Sequence, residues 1–249
     1  MYTTSERNSE VQVEEAKKYN LSNLFALRGE ITRGDSVFHD LQGTKEEILK
    51  IEELLKRNKW QVSSYMGKNG TEESFLNMHG KSPKLLHLAT HGFYYTPNRA
   101  ENVDYLKGYT DAMSLSGLVM SGGNAAWLGK QLPKGVLGGI LTANDIARLD
   151  LSNTDMVVLS ACQTGQGKAT SEGLYGLQRA FKKAGVGTIV MSLWNVSDKT
   201  TSEFMTTFYE RLADKKNAWN KRKAFEEAKE IIRKEHPDPY YWAAFVMLD

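Results

Sequence analysis

Two residues of this chain stand where nucleophilic chemistry is easiest to build. His91 follows the largely apolar run Leu85-Leu86-His87-Leu88-Ala89-Thr90, and Cys162 follows Asp155-Met156-Val157-Val158-Leu159-Ser160-Ala161. Both runs have the length and composition of strands covered on both faces. In open parallel sheets, ligands bind beyond the carboxyl ends of the strands. If these two strands are parallel neighbours, His91 and Cys162 share one sheet edge. A thiol needs an imidazole beside it to be a thiolate at neutral pH, and the same imidazole then protonates the leaving amine. Gly92 follows the histidine and Gly165 closes Cys162-Gln163-Thr164-Gly165. Glycines so placed are expected to let the backbone turn its N–H groups toward the site. The amides of Gly92 and Cys162 are the candidate oxyanion hole.

The elements that must position these residues are legible along the chain. Residues 1–22 are polar and read as a tail or the end of an upstream region, with one domain expected over 23–249. Thr44-Lys45-Glu46-Glu47 opens a helix with Ile48, Ile51, Leu54 and Leu55 on one face. Trp60 to Met66 alternates and predicts a strand. Thr71-Glu72-Glu73 starts a helix that ends at Gly80. Residues 92–111 read as a long loop, Leu115 to Met120 as a short strand, Ser121 to Asn124 as a turn and Pro133 to Gly139 as irregular. Thr142 to Leu149 predicts a short helix, with Thr142 as N-cap and Asp145 three residues on. The second half predicts a helix over Glu172–Ala184, a strand over Thr188–Trp194, helices over Asp198–Leu212 and Ala218–Glu235, and a closing strand over Tyr241–Leu248. Strands alternating with helices imply an α/β fold with a largely parallel, helix-covered sheet.

Composition narrows the function classes. The 249 residues carry 32 Lys+Arg against 30 Asp+Glu, a formal net charge of +2. That balance gives no general reason to expect direct nucleic-acid or membrane-surface binding. No apolar run approaches the ~20 residues of a spanning helix, and no secretory signal is visible. The single cysteine excludes an intramolecular disulfide and a Cys-cluster zinc site. A reducing, cytoplasmic setting is expected.

Five segments, in order, resemble a CHAT domain, a caspase-like cysteine peptidase related to separase. They are His-Leu-Ala-Thr-His-Gly-Phe at 87–93, Val-Val-Leu-Ser-Ala-Cys-Gln-Thr-Gly at 157–165 and Glu-Gly-Leu-Tyr-Gly-Leu-Gln-Arg-Ala-Phe at 172–181. Ser-Leu-Trp-Asn-Val-Ser-Asp at 192–198 and Tyr-Tyr-Trp-Ala-Ala-Phe at 240–245 complete the set. The resemblance implies a caspase-like α/β fold, His91 as the catalytic histidine and Cys162 as the nucleophile. It also implies that Asp198, in Trp194-Asn195-Val196-Ser197-Asp198, pairs with a basic P1 side chain. The plainer role for Asp198, an N-cap or first-turn acid, is compatible with this one. CHAT domains commonly follow helical repeats in larger proteins, so a helical-repeat region or regulatory partner is implied. Gln42 stands where the family often has proline, at the helix start.

Plainer readings cover the other candidates. His87, in mid-strand, is read as a satisfied core histidine, and His39, His79 and His236 as surface residues. Ser160 is packing rather than a rival nucleophile. Glu172 reads as a first-turn dipole partner. Gly165-x-Gly167 lacks the Gly-Lys-Ser/Thr of a phosphate loop. Trp194 and Trp242 read as core or pocket-wall aromatics, and Lys215 to Lys223 as a solvated basic face. The expected activity is cysteine endopeptidase, acting on a protein or peptide substrate with no metal or organic cofactor required. The alternative is a latent or catalytically silent interaction module.

Overall fold

The computed structural model describes residue 38 and residues 41–94, 112–134, 136, 138–160, 171–194 and 196–249, excepting the side chains of 42, 112, 114 and 171–174. Helix α1 spans Gln42–Arg57 and α2 Glu72–Leu76. The strands β1 (Leu85–Leu88) and β2 (Gly92–Tyr94) follow, then α3 (Ala112–Leu115), β3 (Ser116–Val119), α4 (Gly123–Trp127), β4 (Ile140–Thr142) and α5 (Ala143–Ala147). The remaining elements are β5 (Met156–Leu159), α6 (Ser171–Lys183), β6 (Thr188–Ser192), α7 (Asp198–Ala213), α8 (Lys221–Glu235), α9 (Pro239–Trp242) and β7 (Phe245–Leu248). A four-stranded sheet has the order β1-β5-β6-β7, with β1, β5 and β6 parallel and β7 antiparallel to β6. A second, antiparallel sheet has the order β2-β3-β4. The mostly parallel central sheet flanked by helices is the α/β, caspase-like arrangement.

The central strands are largely apolar because both their faces are covered. Along β5, Met156 and Val158 point into one cluster and Val157 and Leu159 into the other, as the two-residue strand period requires. One face carries α1, α7 and α8, whose Ile51, Leu55, Phe204, Phe208 and Phe225 meet Val158 and Val190. Phe204 and Phe245 stack there with ring centroids 3.9 Å apart. The other face carries α2, α5 and α6, with Phe75, Ile146, Leu177 and Phe181 against Val157 and Ile189.

Caps and stops explain most boundaries. Thr142 caps α5 as expected, accepting from the Asp145 N–H while the Asp145 carboxylate accepts from the Thr142 N–H, a reciprocal capping box. Gly80 (φ +69°) and Gly185 (φ +96°) take left-handed backbone after α2 and α6.

Several expectations need correction. Residues 60–66 form no strand: Trp60 and Val62 pack on the α1–α7–α8 cluster, but no described strand pairs with the segment, and alternation without a ladder partner does not make a strand. Helix α1 begins at Gln42, two residues before Thr44, with no side-chain cap. The first residues of the expected 92–111 loop form β2, and the rest of it lies outside the described residues. Strand β4 and helix α4 were not foreseen. Helix α8 starts at Lys221 rather than Ala218, because Ala218 and Trp219 adopt left-handed φ (44° and 61°) and Asn220 caps the helix. Tyr241 and Trp242 belong to α9, so β7 is only four residues long.

Candidate active site

Strand β1 delivers His91 to its carboxyl end. Leu88 pairs with Leu159 in the parallel register, and the Ser160 N–H donates to the Leu88 carbonyl at 3.1 Å. Beyond β1 the chain crosses to the second sheet, where the Val119 N–H donates to the His91 carbonyl at 2.8 Å and the Thr90 hydroxyl donates to the Val119 carbonyl. The His91 backbone is thus strapped between the two sheets. The residue is 9% exposed, and its ring lies 5.4 Å, centroid to centroid, from Phe38. Phe38 is itself clamped by Asn124: its N–H donates to Oδ1 at 2.7 Å and its carbonyl accepts from Nδ2 at 2.8 Å.

Gly92 opens β2 opposite Leu118. The ladder bond beside it joins Val119 N–H to His91 carbonyl, so Gly92 occupies a non-hydrogen-bonded position and its N–H is directed away from β3. This corrects the expected reason for a glycine. Gly92 is extended strand and not a turn, and an added Cβ would meet Gly117 O at 3.8 Å and Leu177 at 3.9 Å, ordinary contacts. Cys162 lies outside the described residues, as do Gly165 and Gly167 and the side chain of Glu172. Ser160, two residues before Cys162, is buried, in keeping with a packing role.

Asp198 is the first residue of α7. The helix N-cap is Ser197, whose hydroxyl accepts from the Thr200 N–H at 3.2 Å, so Asp198 is a first-turn acid and not the cap. Its side chain meets α1: a Cβ on Gly43 would come within 3.0 Å of the Asp198 Cβ. Asp198 also lines a cavity of about 670 Å³ between α1 and α7, with Glu46, Lys50, Glu203 and Glu235 on its walls. In the sheet order β1-β5-β6, the strands leading to His91 and Asp198 flank the strand leading to Cys162, all three parallel.

A family model for the CHAT domain matches residues 3–249. The chain belongs to the CHAT domain family. Among curated proteins it is similar to tetratricopeptide repeat protein 28 of Mus musculus, 33% identical over 111 residues. The human protein of the same name is 32% identical over 111 residues. Each match covers 44% of this chain and 4% of the relative, so the chain spans only a small part of their length.

In this CHAT domain His87 is indeed a satisfied core histidine, and its partners were not anticipated. Its Nδ1 lies 2.9 Å from the Tyr209 hydroxyl on α7, and its Nε2 2.9 Å from Glu47 Oε1 on α1. Glu47 is 3% exposed and Tyr209 fully buried. Burial, helped by the Glu47 carboxylate, holds the Tyr209 phenol well above its ordinary range, so Tyr209 stays a donor. The Tyr209 O–H then donates to Nδ1 and the Nε2–H to Glu47, an assignment that satisfies every polar atom of the ring. A signal existed: Glu47 stands at i with Ile51 and Leu55 at i+4 and i+8, on the apolar stripe of α1. Nothing comparable pointed to Phe38.

The other histidines are less exposed than expected. His79 accepts from the Asp150 N–H at 2.9 Å, and His236 pairs with Glu203 at 3.0 Å. His39 lies outside the described residues. Trp194 donates from Nε1 to the Tyr240 carbonyl, and Trp242 lies beneath Lys229 and Arg233; both are half-buried and pack against the α1–α7–α8 cluster. The basic stretch is only partly solvated, since Lys221 donates to the Asp155 carbonyl and Arg222 pairs with Asp249.

The opposite face holds a second group of acids. Glu72 Oε2 accepts from the Gly139 N–H at 3.1 Å. Burial, with the charges of Asp145 and Glu73 beside it, pushes Glu72 up to about 8. Burial also raises Asp145, against the opposing hydrogen bonds from Thr142.

Proposed function

We propose that this CHAT domain is a cysteine endopeptidase in which Cys162 attacks the scissile carbonyl and His91 serves as base and acid. The observation that carries the reading is the register of β1 against β5. Leu88 faces Leu159, and His91 and Cys162 each follow three residues later. The imidazole takes the thiol proton, the thiolate adds to the carbonyl carbon, and the imidazolium gives that proton to the leaving amine. Water, deprotonated by His91, then hydrolyses the thioester. The Gly92 and Cys162 amides stabilise the oxyanion, and the direction of the Gly92 N–H away from the β3 ladder supports that assignment. Asp198 reads a basic P1 residue, an Arg or Lys, through charge-assisted hydrogen bonds, supported by its place after β6, the parallel neighbour of the strand that leads to Cys162. The peptidase domain spans 23–249 and works in a reducing, cytoplasmic setting. Among the described residues no helix is long and apolar enough to cross a membrane.

A second reading is favoured by one observation, the cover that Phe38 places over His91. It is a latent module, released when a helical-repeat region or regulatory partner engages it. The repeat-containing name of the curated relatives supports such a context.

One experiment separates the readings. Cleavage of a peptide library by wild type, with nearly complete loss in folded Cys162→Ser, is expected for the peptidase. Retained cleavage in Cys162→Ser would overturn the nucleophile. A wild type whose Cys162 alkylates no faster than that of His91→Ala would favour the silent module. A P1 preference for Asp or Leu would remove Asp198 from the pocket.

A further inference from the structure

We propose that Glu47, His87 and Tyr209 form a positioning latch that seats helix α1 on strand β1 and thereby sets both ends of the candidate site together. The consequence for catalysis rests on the peptidase reading of His91 and Asp198; the latch itself does not.

Helix α1 and the residue shortly before it touch both ends. Phe38, four residues before α1, lies against His91, and Gly43, in its first turn, lies against Asp198. The apolar contacts of α1, through Ile51 and Leu55, are non-directional and tolerate small slides and rotations. The imidazole of His87 does not. It is held at 2.9 Å on both nitrogens, by a helix on one side and by a second helix on the other. Hydrogen bonds of that length are directional, and burial removes water as a competing partner. The three side chains therefore admit one placement of α1 relative to β1 and α7.

Spacing carries that placement outward in both directions. His91 lies four residues beyond His87 on the same strand run, so the seat of His87 fixes where the strand presents His91. Glu47 lies four residues beyond Gly43, about one helical turn, so the seat of Glu47 fixes the approach of Gly43 to Asp198. Apolar side chains could fill the same volume. A buried carboxylate and imidazole instead make correct pairing the condition for folding in this register.

The test reads His91 directly, by its ring Cε1–H resonance, assigned among the five histidines with His91→Gln. Two variants break the latch, Glu47→Leu, which removes the acceptor at similar size, and Tyr209→Phe, which keeps the buried ring. Ile232→Val is the control, since it trims the same cluster without touching a polar group. Both latch variants are expected to displace the His91 resonance and move the midpoint of its titration, and Ile232→Val to leave both in place. If Glu47→Leu does not fold, Tyr209→Phe decides alone. An unmoved His91 in the folded latch variants, or an equal displacement in Ile232→Val, overturns the latch. The peptidase reading fails separately, if wild-type Cys162 alkylation proves indifferent to His91→Gln while the resonance still responds to Tyr209→Phe.

Discussion

On the face covered by α1, α7 and α8, the buried carboxylate of Glu47 meets an imidazole and, through it, a phenol. On the face covered by α2, α5 and α6, Glu72 is half-buried beside two further acids, Asp145 and Glu73. Both carboxyls are withdrawn from water, and both reach across to a neighbouring element. The difference lies in what faces them. Glu47 finds a hydrogen-bond donor in His87, so its carboxyl group serves orientation. Glu72 finds one backbone N–H and two like charges, so the favourable response is to hold a proton. Burial of an acid therefore says little by itself; the neighbours decide whether it anchors a hydrogen bond or takes up a proton.

The comparison can be sharpened by removing parts of each face. The largest expected effect is in the aromatic packing that surrounds the Glu47 pair. Phe204→Ala deletes a ring stacked at 3.9 Å on Phe245 and should cost about 4 kcal/mol in chemical denaturation. A loss under about 1 kcal/mol would mean that this face collapses around the gap. Glu47→Ala leaves the His87 Nε2–H without its acceptor and should cost about 3 kcal/mol. A neutral result would show that water enters to replace the carboxylate.

Glu72 should behave in the opposite sense. Its folded value of about 8 lies above the ordinary 4.5, so the folded chain holds a proton that the unfolded chain has released between those values. Stability is then lost as pH rises from about 4.5 to about 8, and no further above that. Glu72→Gln keeps an acceptor for the Gly139 N–H and removes the charge. It should stabilise by on the order of 2 kcal/mol above pH 8, with the gain fading below pH 5. Melting temperatures of the variant and wild type that run parallel across that range would refute the proton-bound state. The smallest effect is expected at the capping box: Thr142→Ala should cost about 1 kcal/mol, with no change in the pH profile of Glu72.

Much of this molecule was legible one segment at a time. The apolar runs at 85–88, 156–159 and 188–192 had to be covered strands, because nothing else buries so many consecutive aliphatic residues in so short a length. The capping box at Thr142 and the stop at Gly185 are local rules, readable without partners. Residues 60–66 show where such reading fails, since a strand exists only if another strand accepts its hydrogen bonds. Strand β2 shows the reverse: three residues with a weak local signal become a strand because β3 is there to pair with them. The site divides in the same way. The order of motifs around His91, Cys162 and Asp198 marks the family, because those residue types follow strand ends where a parallel sheet exposes its edge. Only the tertiary structure decided that Phe38 lies on His91, that Gly43 abuts Asp198, and that a glutamate and a tyrosine, 40 and 122 residues from His87, share its imidazole. Those contacts join segments far apart in the chain, and their energy depends on distance and burial, quantities that no local pattern of residue types contains.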